Sequence, residues 1–313
     1  MKNKSKQRAT RAKSRETQNG TLSRVDSVYA RASPIKLRQG EINLWIVGCG
    51  GTGSHIADAV AQLWIATNGM KRTPTPLKQI FLVDPDIVEL KNVGRQRFCP
   101  ADVGKHKALA LAERYALAFG LRAVAIPEKF RAEMLEHGCQ HILIGCVDNA
   151  DARKSLNDAL NRFAYQPSVW WLNCGNWARS GEILLGSTNS LERVQKSFPA
   201  RSGGICIDLP SPAWMEPAIL QPLPEETGTR NLSCAEIALR NLQSATINRC
   251  VAAHAADMLL QLLLGQLKRF SLYFSLDPGT SNARYVTREN IAAAIRMNVN
   301  ELFSNQRQEG ANE

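Results

Sequence analysis

The sequence predicts an α/β fold built on a doubly wound sheet, with a parallel core, antiparallel additions and flanking helices. Three observations carry this. An apolar run ending at Val47 leads into a glycine cluster, Gly48-Cys49-Gly50-Gly51-Thr52-Gly53, and a helical pattern follows at once. Strand-like and helix-like patterns then alternate as far as Gly186, the arrangement of a parallel sheet. The run His141–Val147 is apolar throughout, as a parallel strand buried on both faces should be.

Taken in order, residues 1–32 read as a basic, disordered arm, polar and without apolar period. Ordered structure is expected from about Pro34–Leu37, and residues 33–313 as a single domain. Asn43–Val47 is the first strand, and the first helix runs from Gly53 to about Ile65. Turn residues make 67–76 a loop. The second strand, Gln79–Val83, ends in Asp84-Pro85-Asp86. A helix runs from about Gly104 to Ala118, with Ala108, Leu111, Ala112 and Tyr115 on one face and Gly120 as its stop. Arg122–Ile126, His141–Val147, Ser168–Asn173 and Gly181–Gly186 are further strands, with a helix to about Phe163 after Asp148-Asn149. The stretch of about 190–232 is rich in proline, from Pro199 to Pro224, and reads as a lid or crossover loop. Ile247–Leu267 is a strongly apolar helix that should pack on the sheet. Residues 271–286 form a hairpin around Asp277-Pro278-Gly279, and Thr287 caps a last short helix.

At 313 residues, 44% hydrophobic and 21% charged, the chain is long enough for a full core and ordinary in composition. No apolar run reaches the ~18 residues of a membrane span, and no apolar segment follows the basic start as in a secretory signal. A cytoplasmic protein without membrane contact is expected. The eight cysteines form no C-x-x-C pair, so no zinc is expected. The net charge of +11 is partly terminal, since Lys2, Lys4, Lys6, Arg8, Arg11, Lys13 and Arg15 all precede Glu16. Such an arm is usually solvated, and nucleic acid is a second partner it suits.

The polar clusters that follow the predicted strands, or open a helix, carry the chemistry. In a doubly wound, Rossmann-like sheet the carboxyl ends of the strands line one crevice. Gly48, Gly50, Gly51 and Gly53 close the first strand. Glycine lets a phosphate approach the backbone, and the helix behind offers unpaired N–H groups and a positive dipole end. Asp84 and Asp86 close the second strand. Asn92, Arg95 and Gln96 lie in the loop beyond, Lys107 near the next helix start, and Asp148 and Asn149 after the fourth strand. A glycine turn, a ribose-type acid, two cations and a second acid suit ATP with Mg2+ better than a neutral ligand. Each also has a plainer role: Asp84 as a turn former before Pro85, Arg95 and Lys107 as surface charges, Asp148 as a helix cap. Cys234, at a probable helix start, is a candidate nucleophile. Cys174, at a strand end expected to face the crevice, is a weaker one.

Four blocks together resemble the ThiF/MoeB/HesA family, related to the ubiquitin-activating enzymes. They are Gly48–Gly53, Asp84–Gln96, Asp102–Lys107 and Cys146–Arg153, in matching order and spacing. Within that family the plasmid-borne PRTRC system has a ThiF-like member that this chain resembles. The resemblance implies a ThiF-type fold and adenylation of the C-terminal glycine of a ubiquitin-like or sulfur-carrier protein. It implies ATP and Mg2+ as cofactors and a homodimer. Asp84 would hold the ribose; Asn92, Arg95 and Lys107 the phosphates; Asp148 the Mg2+. The chain departs from the family at Lys91, which would add positive charge beside the phosphates, and at Val93. It lacks the family's zinc cysteine pairs. Arg31 and Arg38 are the candidates for the arginine that homodimeric relatives pass to the partner's ATP. Two other readings use the same residues: an NAD(P)-dependent oxidoreductase on the same glycine turn, and a non-catalytic nucleotide-binding scaffold with a nucleic-acid-binding arm.

Overall fold

In the computed structural model, residues 27–68, 76–164, 168–199, 204–222 and 234–304 are described, the side chains of 67–68 and 234–245 excepted. Eight strands form one sheet in the order β3-β2-β1-β4-β5-β6-β7-β8. They are β1 Ile42–Val47, β2 Leu77–Val83, β3 Val124–Ile126, β4 Gln140–Gly145, β5 Val169–Asn176, β6 Ser180–Gly186, β7 Arg269–Ser275 and β8 Thr280–Tyr285. Pairing is parallel from β3 across to β5 and antiparallel from β5 to β8. The expected parallel core with antiparallel additions is the fold observed.

Alternation along β1 sets the layers. Ile42, Leu44 and Ile46 enter a core shared with α1 (Gly51–Asn68), α2 (Lys107–Phe119) and the long α4 (Cys234–Leu263). Trp45 and Val47 point the other way, into a second core with α3 (Ala150–Arg162). A strand buried on both faces has no polar side to offer, which explains the continuous apolar runs. Gly145 lets α3 and the sheet close together, since a Cβ there would stand 2.7 Å from Leu156 and from the Trp171 ring. His141 belongs to this core: its Nδ1 accepts from Trp45 Nε1 at 3.1 Å and its Nε2 lies 2.9 Å from Glu136 O.

Several boundaries move. α1 begins at Gly51 rather than Gly53, and α2 at Lys107 rather than Gly104, because Asp102 and Gly104 are used in a tight turn before it. α4 stops at Leu263, where the chain turns through Gly265 at φ +66°. A helical turn at Ser27–Arg31 precedes the expected start of order; Tyr29 packs on Tyr285 and under Lys268. The proline-rich stretch differs most. Where it is described, residues 205–215 are packed into the body, while Gly204, Pro217, Ala218, Gln221 and Pro222 are exposed. Cys206 and Leu209 are fully buried, Cys206 exchanges backbone bonds with Pro34 and Lys36, and buried Asp208 takes Ser187 Oγ at 2.8 Å and pairs with Arg193. Polar groups buried in this way must be bonded, and these bonds tie the segment to β6. Residues 200–203 and 223–232, also part of the expected lid or crossover loop, lie outside the described residues. Of the hairpin and its cap, the sequence reading holds: β7 and β8 turn through Gly279, and Thr287 accepts from Asn290 N in the helix α5, Arg288–Ala294.

Candidate active site at the carboxyl edge of the sheet

The chain leaves β1 toward β2 on one side and returns through β4 on the other, so a crevice opens at the carboxyl ends of β1 and β4. Gly48, at φ +89°, makes the turn, and a Cβ there would meet Cys146 O at 2.7 Å. A Cβ on Gly53 would collide with Gly48 O. These two glycines serve the turn itself. Gly50 is different: its Cβ direction is open, with Gln96 Nε2 nearest at 4.0 Å. It is the position in the loop with room for a ligand. Gln96 is only 8% exposed and its Oε1 has no partner among the described residues, so a buried amide beside Gly50 has bonding capacity left over.

Asp84 locks the loop to β2. It is 5% exposed, and its oxygens accept from Cys49 N at 2.6 Å and Asp86 N at 2.8 Å. Burial pushes its carboxyl above the usual carboxylate range, while Lys107 and the two N–H donors oppose that shift. Lys107 opens α2 with its N–H on Asp86 O. Its Nζ, nearly buried, pairs with Asp86 Oδ2 at 2.8 Å. The plainer role for Lys107 as a surface charge is therefore excluded, and Asp84, Asp86 and Lys107 form one charged cluster behind the loop.

After β4, Asn149 caps α3 by accepting from Ala152 N at 2.9 Å. The cap role considered for Asp148 thus falls to its neighbour, and Asp148 stands exposed with Asn149 Nδ2 at 3.4 Å. Arg95 is placed by a bond from its Nε to Lys91 O at 3.1 Å. Asn92 is buried and its Oδ1 accepts from Glu89 N at 2.8 Å, so its side chain braces the crossover turn. Lys91 pairs with Glu89 at 3.0 Å, which offsets the charge expected of it near the phosphates.

Cys174 is buried on the face packed by α1 and α4, not turned to the crevice as expected, because alternation along β5 sends Trp171 and Asn173 to the opposite side. Its hydrogen bond, followed by burial, pushes the Cys146 thiol well up. Burial and the charge of Asp84 do the same to Cys49. The thiolate needed for nucleophilic attack is disfavoured at both. Cys234 is the first residue of α4, and its side chain is outside the described set. Among the described residues, no group of three or more His, Cys, Asp or Glu gathers as a metal centre, and no helix is long and apolar enough to cross a membrane.

Sequence reasoning missed Asn248. It sits on α4 with its amide against Gly51, where a Cβ would collide with it. Its Oδ1 accepts from Thr52 Oγ1 at 3.0 Å and from Asn176 Nδ2 at 2.6 Å. The available signal was an asparagine inside a strongly apolar helical stretch.

The ThiF family model matches residues 34–294. The chain belongs to the ThiF family. Similar curated proteins include ubiquitin-like modifier-activating enzyme 5 of Drosophila virilis, 29% identical over 151 residues, with 44% of this chain and 32% of that protein covered. The same-named protein of Dictyostelium discoideum is 26% identical over 133 residues, covering 38% and 32%. The match thus spans about a third of the length of these relatives. Among solved structures, PaaA aligns with TM-score 0.49 at 16% identity over 79% of this chain and 64% of its own. E. coli MccB with ATP aligns with TM-score 0.48 at 16% identity over 79% and 63%.

Proposed function

We propose that this ThiF-family chain is an ATP-dependent adenylyltransferase that activates the C-terminal glycine carboxylate of a ubiquitin-like or sulfur-carrier protein. The observation that supports it most is the meeting, at one sheet edge, of the open Gly50, the Asp84–Asp86–Lys107 cluster and the exposed Asp148. In the reaction a carboxylate oxygen of the carrier attacks the α-phosphorus of ATP. The bond to the pyrophosphate oxygen breaks, leaving an acyl-adenylate and pyrophosphate. A C-terminal carboxylate is ionised near neutral pH, so no general base is required. What remains is positioning and charge neutralisation.

The residues suit those tasks. The loop N–H groups and the α1 N-terminus face anionic oxygens, and Lys107, with Arg95, supplies the cation for the phosphates. Asp84, bonded once at each oxygen, retains acceptor capacity for ribose hydroxyls. Asp148 would hold Mg2+, which commonly binds one or two carboxylates together with substrate phosphates; bound there, the ion would neutralise phosphate charge. Gln96 and Asn149 complete the surround of the nucleotide. A homodimer, with Arg31 or Arg38 passed to the partner's site, and a later thioester on Cys234 belong to the same proposal, as does a cytoplasmic location. Nucleic-acid binding by the arm stays a separate proposal, since residues 1–26 lie outside the described set.

ATP–pyrophosphate exchange tests this reading. Exchange should require the carrier's terminal glycine and disappear in Asp148→Ala. Undiminished exchange in that variant would overturn the assignment of Asp148. Tight binding of NADH with none of ATP would favour the oxidoreductase reading instead.

A further inference from the structure

We infer that Asn248 is a positioning residue for the glycine loop, through which helix α4 sets the loop's geometry for nucleotide. This deepens the adenylating reading and rests on it. Three observations meet at this side chain. Asn248 is 4% exposed on a helix whose neighbouring Ile247 and Val251 are fully buried. An amide in such surroundings is costly unless bonded, and its partners are Thr52 of the loop and Asn176 at the end of β5. The amide also occupies the space that a side chain at residue 51 would need. The double glycine therefore divides its work: Gly50 faces open space, and Gly51 makes room for Asn248.

The consequence is mechanical. The loop's first helical residues are gripped from three directions. Asp84 holds Cys49 N, Ser54 Oγ accepts from Arg97 N at 3.1 Å and lies 3.2 Å from Gly51 O, and Asn248 holds Thr52. The third of these grips comes from α4, whose first residue follows the undescribed 223–233 stretch. Preorganised donors of this kind are effective because they need no rearrangement when charge arrives.

Two variants separate positioning from packing. Asn248→Ala removes the acceptor; Asn248→Asp keeps an acceptor for Thr52 and Asn176 but places a carboxylate oxygen against Gly51. In the nucleotide-free full chain, amide hydrogen exchange at Gly50–Ser54 should quicken in Asn248→Ala and stay near wild type in Asn248→Asp. By calorimetry, the Kd for MgATP should rise about tenfold in Asn248→Ala, the scale of a lost hydrogen bond or two, and further in Asn248→Asp. Unchanged loop exchange in Asn248→Ala, or MgATP affinity within about twofold of wild type in both variants, would overturn the inference. Thr52→Val, which removes only the donor, takes the place of Asn248→Ala with the same expectations if that variant does not fold. Wild-type protein that binds no MgATP would instead contradict the adenylating reading, and loop exchange would still decide the role of Asn248.

Discussion

Asp148 and Asn149 are neighbours with different work, and the difference is physical. Asn149 is fixed by its cap, whose loss costs about 1 kcal/mol; Asp148 stands exposed beside it. Asp148→Ala should therefore leave the thermal midpoint unchanged while exchange falls about a hundredfold or more, the usual cost of removing one preorganised charge partner. Asn149→Ala should do the reverse first, lowering stability. His55 gives a pH test. Burial, then the charges of Arg249 and Arg97, lower its pKa from 6.5 to about 4. Between those values the unfolded chain binds the proton and the folded chain does not, so stability is lost as pH falls through that window. His55→Gln should flatten this part of the acid limb in denaturant titrations from pH 7 to 4. His141 and His254, also lowered by burial, would still contribute a slope. The charges at Asp84, Lys107 and Asp148 were legible as residues. Their division of labour was not, because only the fold shows that each Asp84 oxygen accepts one backbone N–H and that Lys107 is buried.

At the scale of elements, the glycine loop separates structural from ligand-facing positions. A methyl on Gly53 meets Gly48 O, so Gly53→Ala should cost about 1–3 kcal/mol from overpacking, read as a lower denaturant midpoint. Gly50→Ala meets open space, so its midpoint should hold while MgATP binding weakens. The apolar periods of β1, β4 and α3 were readable because both faces of the parallel strands are buried. Helix starts were less so: α2 begins late because the crossover turn uses Asp102 to accept from Cys99 N at 2.8 Å, a long-range consequence of Arg114 holding that carboxylate. Asn248 was invisible for a similar reason. Its partners are 196 and 72 residues away, and no local pattern reports them.

For the whole molecule, the proline-rich stretch carries the main lesson. Prolines and glycines mark irregular backbone, which suits either a lid or a crossover loop. Much of 205–215 is packed into the body, and Asp208 within it is held by the Arg193–Asp208 pair, whose side chains are largely inaccessible. Removing one partner of such a pair strands the other, at about 3–5 kcal/mol. Arg193→Ala should accordingly lower the unfolding midpoint more than any exposed arginine replacement, for example Arg131→Ala. The parallel core and the family were both legible, since strand-like and helix-like runs alternate and the four sequence blocks lie within the residues the family model matches. The reaction proposed for this edge is adenylation of a carrier's C-terminus. Mass spectrometry of small carrier candidates ending in glycine, incubated with the protein and MgATP, tests it most directly. An AMP adduct on the terminal carboxylate is expected, strongly reduced with Asp148→Ala and absent when the glycine is removed. Pyrophosphate release without any such adduct, or an adduct that survives loss of the terminal glycine, would contradict it.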